Sequence, residues 1–150
     1  MSDGLTDQLE IRELTARFTD AVNRRAPRDV AALFAEDGEW HVPGVPVARG
    51  REAVANLLDG LLGNFDRLIQ VTHSGHVDLA DDAATATWYL SEFAASSASG
   101  KAFTFVGTYR DELVRTAEGW RFGTRAFDFL YRAKGDAEAR WYPHPAVAAP

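Results

Sequence analysis

The sequence predicts a single α+β domain in which three helices precede a run of antiparallel strands. Apolar residues in the first half recur at three- and four-residue steps, which is typical of amphipathic helices. From Val71 onward the pattern changes to alternation rich in Thr, Val and aromatic residues, which favours strands. A length of 150 residues suits one domain. We expect residues 1–134 to form this domain and residues 135–150 to form an irregular tail.

The first two helices follow from apolar spacing and from capping residues. The first is predicted over residues 6–23, with Thr6 as its N-cap. Its apolar face consists of residues at helical spacing: Ile11, Leu14, Phe18, Ala21 and Val22. A second, short helix is predicted over residues 27–34, because Pro27 fits the first turn of a helix.

A turn, a short strand and a third helix are predicted next. The Glu-Asp-Gly sequence at residues 36–38 indicates a turn, and residues 39–42 read as a strand. Pro43, Gly44 and Pro46 mark a loop. Residues 51–62 carry Val, Leu, Leu and Leu at helical spacing and predict the third helix.

Four strands are predicted in the second half, over residues 71–79, 84–93, 103–115 and 120–131. Strict alternation in the first of them predicts one apolar face, made of Val71, His73, Val77 and Leu79. In the last strand, Trp120 and Phe122 have one parity, and Phe127 and Phe129 have the other. A sheet that is apolar on both faces needs two covering layers. We therefore expect a homodimer or homotrimer, formed partly through the outer face of the sheet.

Composition excludes several classes of function. The chain has no cysteine, so thiolate nucleophiles, disulfides and cysteine-based zinc sites are excluded, and a cytoplasmic protein is expected. The formal net charge is −6 and Lys and Arg are not clustered, which argues against a nucleic-acid partner. The start of the chain is polar and its apolar stretches are short, which argues against a membrane partner. The four histidines lack metal-ligand spacing, so no metal is expected.

Several segments together resemble the SnoaL-like domains of the NTF2-like superfamily. They are Ile-Arg-Glu-Leu at residues 11–14, residues 29–40, Gly-Arg-Glu-Ala at 50–53, residues 107–112 and Gly-Trp-Arg-Phe at 119–122. The chain is most similar to the branch of scytalone dehydratase and hexachlorocyclohexane dehydrochlorinase. The resemblance implies a cone-shaped fold, in which a curved antiparallel sheet packs on the helices around a deep pocket. It also implies a small-molecule substrate and no cofactor.

The resemblance implies a particular set of site residues. Enzymes of that branch use a His–Asp dyad to remove a proton, and the matching positions here are His73 and Asn23. Arg125 matches an arginine near the dehydrochlorinase pocket, although an ion pair with Asp111 or Glu112 is an alternative role for it. The residues expected to line the pocket are Phe18, Val22, Trp40, Val42, Trp88, Leu90, Phe105 and Phe127.

The predicted function is a cofactor-independent lyase, cyclase or isomerase that transfers a proton from a ring-type organic substrate. His73 is the candidate base and Asn23 its partner, so replacing Asn23 by Asp is expected to raise activity by stabilising the imidazolium. The alternative role for His73 is that of a buried core residue. Two other functions stay open: a non-catalytic member that binds a small ligand, and the small subunit of a ring-hydroxylating dioxygenase.

Overall fold

The computed structural model describes residues 3–135 and 139–147, and it confirms the predicted α+β class. The helices are α1 (Gly4–Asn23), α2 (Pro27–Ala31) and α3 (Arg51–Gly63). The strands are β1 (Phe34–His41), β2 (Ala48–Arg49), β3 (Phe65–Ala80), β4 (Ala83–Ser96), β5 (Ala102–Thr116) and β6 (Gly119–Gly135). They form one sheet in the order β2-β1-β6-β5-β4-β3. All neighbours are antiparallel except β1 and β6, which pair in parallel.

The predicted boundaries of the first elements need correction. The N-cap of α1 is Asp3, whose Oδ1 accepts a hydrogen bond from the backbone N–H of Thr6 at 2.7 Å. The predicted second helix was too long, because Phe34 begins β1 and is fully buried.

The turn predicted at residues 36–38 is wrong, because these residues lie inside β1 at a shift of its register with β6. Gly38 is needed at this shift: a Cβ there would lie 2.8 Å from the carbonyl oxygen of Phe122. A Glu-Asp-Gly sequence therefore bends a strand in this protein instead of ending one.

A bulge in β3 places the side chains that follow it on the opposite face from the one that strict alternation predicts. The register between β3 and β4 shifts between Thr72 and Gly75. Residues before and after a bulge exchange faces, because the alternation of side chains is interrupted there. Val77 is buried as predicted, whereas Val71 and His73 are exposed. The common apolar face predicted for Val71, His73 and Val77 is therefore wrong.

A second bulge, in β6, brings the large aromatic residues of that strand to one side. The register between β5 and β6 shifts between Glu112 and Leu113, opposite the segment from Phe122 to Thr124. Trp120, Phe122 and Phe127 are consequently all buried, although their parities differ. The argument that these residues make both faces of the last strand apolar is therefore wrong.

The main core lies between the helices and the inner face of the sheet. Phe18 on α1 is at its centre, with ring centroids 5.4–6.4 Å from those of Phe34, Trp40, Tyr109 and Phe122. Aromatic side chains bury a large area each, so they dominate the packing of the helix on the sheet. Among the described residues, no helix is long and apolar enough to cross a bilayer.

The described part of the tail, residues 139–147, contains neither helix nor strand. Trp141 and Tyr142 line a surface cavity together with Asn23 at the end of α1 and residues 66–69 of β3. The tail therefore lies beside the end of α1 and the start of β3.

Candidate active site

A cavity of about 250 Å³ opens where the ends of α1, α3 and the long strands meet. Most of its wall is apolar, and most of the polar side chains in it come from the four adjacent strands β3, β4, β5 and β6. The lining residues are Val22, Trp40, Val42, Pro43, Leu58, Leu61, Asn64, Phe65, Leu68, Gln70, Glu92, Phe105, Tyr109, Phe127, Phe129 and Arg132. An apolar cavity with a few convergent polar groups is the usual form of a small-molecule site.

Gln70, Glu92 and Tyr109 form a hydrogen-bonded cluster in the wall of this cavity. The Gln70 Nε2 group donates to Glu92 Oε1 at 2.9 Å and to the Tyr109 hydroxyl at 3.1 Å. Both donor hydrogens of the amide are thereby used, and the carboxyl and phenol are held within a few ångströms of each other. Glu92 Oε2 makes no hydrogen bond to any residue that the structure describes. The phenol hydrogen is likewise not donated to a described residue, so both groups are available to a ligand.

Strand pairing explains why these three residues meet. Gln70 lies directly opposite Glu92 in the register of β3 and β4. Glu92 has the same parity on β4 as the buried Trp88 and Leu90, so it points toward the helices. Tyr109 lies on β5 opposite Trp88, two inward-facing positions away from Glu92 on the same face.

The surroundings of the cluster set its protonation. Burial raises the pKa of the Glu92 carboxyl, and the hydrogen bond from Gln70 lowers it in part. Burial, followed by the nearby negative charge of Glu92, raises the pKa of the Tyr109 phenol. The phenol therefore stays protonated as a hydrogen-bond donor, and the carboxyl is a stronger base than an exposed glutamate.

Arg125 takes part in a buried ion pair instead of lining the cavity. Its Nε and Nη2 atoms donate to the two carboxylate oxygens of Asp111 at 2.9 and 3.0 Å, and both side chains are fully buried. Asp111 Oδ2 also accepts a hydrogen bond from Trp88 Nε1 at 3.0 Å. The guanidinium carbon lies 4.0 Å from the centroid of the Tyr109 ring. The buried ion pair therefore packs against the ring of Tyr109.

Comparison with known proteins places the chain in a family. The family of SnoaL-like domains, represented by its sequence model, matches residues 3–126, which is most of the chain. The chain belongs to the SnoaL-like domain family. The predicted resemblance is thereby confirmed. A comparison with curated proteins finds no match to this SnoaL-like domain.

Solved structures from Novosphingobium have the same fold. An NTF2-like protein with a cystatin-like fold from N. aromaticivorans is 31% identical, with a TM-score of 0.73 over 84% of this chain and 83% of that one. A hexachlorocyclohexane dehydrochlorinase from N. barchaimii is 17% identical, with a TM-score of 0.81 over 89% and 92% of the two chains. A protein proposed to be a scytalone dehydratase, from N. aromaticivorans, is 20% identical, with a TM-score of 0.74 over 93% of each chain. The predicted NTF2-like architecture is confirmed by these structures.

In this SnoaL-like domain, the two predicted dyad residues do not bond to each other. Asn23 Nδ2 donates to the carbonyl oxygen of Gln70 at 2.9 Å, and the Gln70 N–H donates to Asn23 Oδ1 at 2.8 Å. Asn23 thus forms the same pair of hydrogen bonds with the backbone of β3 that a neighbouring strand would form. His73 is exposed on the outer face, where its Nε2 atom lies 2.7 Å from Ser91 Oγ. Neither residue lines the cavity.

Five of the eight residues predicted to line the pocket do so: Val22, Trp40, Val42, Phe105 and Phe127. Phe18, Trp88 and Leu90 do not line this cavity. All three are buried in the core, where Phe18 packs under the aromatic cluster and Trp88 bonds to Asp111. The sequence pattern identified them as inward-facing. Core residues and cavity residues both face inward, so this pattern does not distinguish them.

The polar cluster itself was missed in the sequence. Glu92 carried a usable signal, since it is an ionisable residue on the apolar parity of a predicted strand. Gln70 carried none, because it precedes the predicted start of its strand at residue 71. Among the described residues, no group of three or more His, Asp or Glu side chains could hold a metal ion.

Proposed function

We propose that this SnoaL-like domain is an enzyme of the lyase or isomerase kind, which moves a proton on a small, largely apolar ring compound without a cofactor. The observation that carries the proposal is the Glu92 carboxyl. Its pKa is raised, one of its oxygens makes no hydrogen bond to a described residue, and it faces an apolar cavity beside a phenol donor. A titratable group with these properties in a concave site is a candidate catalytic base.

The proposed step is removal of a proton from the carbon next to a carbonyl group. Glu92 Oε2 accepts the proton as the C–H bond breaks, and the electron pair moves to the carbonyl oxygen. The Tyr109 hydroxyl donates a hydrogen bond to that oxygen and stabilises its developing charge. Return of the proton at another carbon completes an isomerisation, and departure of a group on the next carbon completes an elimination.

Two relatives of the same fold support this class of reaction. One is named a hexachlorocyclohexane dehydrochlorinase and another is proposed to be a scytalone dehydratase. Both names describe eliminations from ring compounds. In the present chain, Glu92 on β4 replaces the His73–Asn23 pair as the proposed base.

Solvent exchange of substrate protons tests the proposal without knowledge of the natural substrate. The probes are 2-tetralone and 2-cyclohexen-1-one in deuterated buffer, with deuterium incorporation followed by NMR. Glu92→Gln should slow the enzyme-dependent exchange by about 100-fold or more while leaving ligand binding intact. Tyr109→Phe should slow exchange less, because it removes only one stabilising hydrogen bond. His73→Ala is the control and should exchange as fast as the wild type.

A non-catalytic binding function is the second candidate. It is favoured because His73 and Asn23 bond to different partners, so the dyad found in the similar enzymes does not form here. Binding of the probes with equal, negligible exchange in the wild type and in Glu92→Gln would support this candidate against the enzymatic one.

A further inference from the structure

Arg132 lines the cavity because of an irregularity in β6. It lies opposite Phe105 in the register of β5 and β6, after a shift of that register at Leu130. Because of this shift, Phe129 and Arg132 both line the cavity although their parities differ. The guanidinium carbon lies 5.7 Å from the Phe105 ring centroid and 5.9 Å from that of Phe129.

Among the residues that the structure describes, no carboxylate pairs with Arg132. The four other arginines on β5 and β6 each pair with a carboxylate, and they are Arg110, Arg115, Arg121 and Arg125. Arg132 makes no ion pair or hydrogen bond to a residue that the structure describes. It is also exposed, so its donor groups reach the solvent at the opening of the cavity.

The cavity is therefore electrically asymmetric. Among its lining residues, Arg132 carries the one guanidinium and Glu92 the one carboxyl group. Glu92 is in the interior wall and Arg132 is at the exposed rim, with Phe105 on the strand between them. A guanidinium presents a planar set of donors that suits a carboxylate in two parallel hydrogen bonds. The rings of Phe105 and Phe129 lie within cation–π distance of the guanidinium, and these contacts favour its position at the rim.

We infer that the substrate is a ring compound with a carboxylate, whose anionic group binds Arg132 at the rim while its apolar ring enters the cavity. This inference rests on the proposed function, since it assigns the substrate class of the same site. Arg132 is then a residue that determines specificity and takes no part in the proton transfer. An anion at the rim also stays away from Glu92, which avoids a like-charge contact in the interior.

Binding of a matched pair of probes tests the inference. The pair is 2-naphthoate and 2-naphthamide, which share a ring system and differ in charge, and their Kd values are measured by calorimetry. The wild type should bind the naphthoate about tenfold more tightly, and the preference should weaken at high salt. Arg132→Gln should abolish the preference without changing the affinity for the naphthamide, and Arg132→Lys should retain part of it.

Lys134→Gln is the matched control, because it removes one positive charge from the same strand outside the cavity lining. It should leave the preference intact. Equal affinity of the wild type for both probes, or a preference that survives in Arg132→Gln, would overturn the inference. Glu92→Gln separates the two proposals: it should keep the naphthoate preference even if the exchange assay shows no proton transfer.

Discussion

At the scale of single residues, the candidate site depends on Gln70. Its side chain orders Glu92 and Tyr109, and its backbone is held by both polar atoms of the Asn23 side chain. Asn23, which matches the dyad aspartate of the similar enzymes, therefore contributes to the site through Gln70. Asn23 positions the cluster by binding the strand that carries it.

Replacing Asn23 by Asp should destabilise the protein. The change removes the donor to the Gln70 carbonyl oxygen and places a carboxylate against it, so we expect a loss of about 1–3 kcal/mol in the free energy of unfolding. This reverses the expectation drawn from the resemblance, that the aspartate would raise activity. Chemical denaturation measures the loss, with exposed His73→Ala as a control that should stay within about 0.5 kcal/mol of the wild type. An Asn23→Asp variant that is fully stable and faster in proton exchange would restore the dyad hypothesis.

The raised pKa of Glu92 should make stability depend on pH. The folded state holds this proton more tightly than the unfolded state, whose carboxyl has the ordinary value of 4.5. Stability is therefore fully present below that value and is lost as the pH rises through the folded pKa. Glu92→Gln cannot ionise, so its stability relative to the wild type should increase from about pH 4 to about pH 8.

Urea unfolding of both proteins across that range measures the effect. Asp111 also has a pKa raised by burial, but it is present in both proteins and cancels in the difference. A difference in stability that does not change with pH would show that Glu92 is not buried as described.

At the scale of elements, bulges decide which side chains face the cavity. The bulge at Thr72 to Gly75 sends His73 outward and leaves Gln70 and Val77 inward. Gly75 permits the bulge to pack on β4: a Cβ there would lie 2.3 Å from Trp88 Cε3 and 2.4 Å from the Thr87 carbonyl oxygen.

Gly75→Ala should consequently destabilise the fold, by about 1–3 kcal/mol as in overpacked cores. Gly60 in α3 offers the matched control, because a Cβ at that position meets no atom within 4 Å. Gly60→Ala should stabilise the protein by about 0.5–1 kcal/mol, since alanine favours a helix interior. Thermal unfolding of the two variants tests both signs, and equal stabilities would contradict the role given to the bulge.

At the scale of the whole molecule, the outer face of the sheet carries an apolar surface. Its exposed large residues are Ile69, Val71, Tyr89, Phe93 and Tyr131. The registers place them together, since Ile69 lies opposite Phe93, and Val71 lies in one row with Tyr131 across the sheet. These residues differ from those that first suggested an oligomer, but they lead to the same expectation.

We predict a homodimer or homotrimer that buries this outer face. The double change Tyr89→Glu and Phe93→Glu should shift the protein toward monomer, because it places charges in an apolar interface. Leu9→Glu is the control, as Leu9 is also exposed but lies on α1. Sedimentation equilibrium measures the masses, and a wild type that is monomeric at micromolar concentrations would refute the prediction.

The sequence by itself determined the class of the fold, the order of the main elements and the family. These follow from local periodicity and from short segments in a fixed order, which do not depend on partners distant in the chain. It also identified some inward-facing residues correctly, among them Phe105 and Phe127.

The tertiary structure alone decided the composition of the site. Whether Gln70, Glu92 and Tyr109 meet depends on the register of three strands, and whether His73 faces inward depends on a bulge. A shift of one residue moves a side chain to the opposite face, yet it leaves the local composition of the strand unchanged. Pairing between residues tens of positions apart selects the register, so the alternation that predicted the strand could not predict its active face.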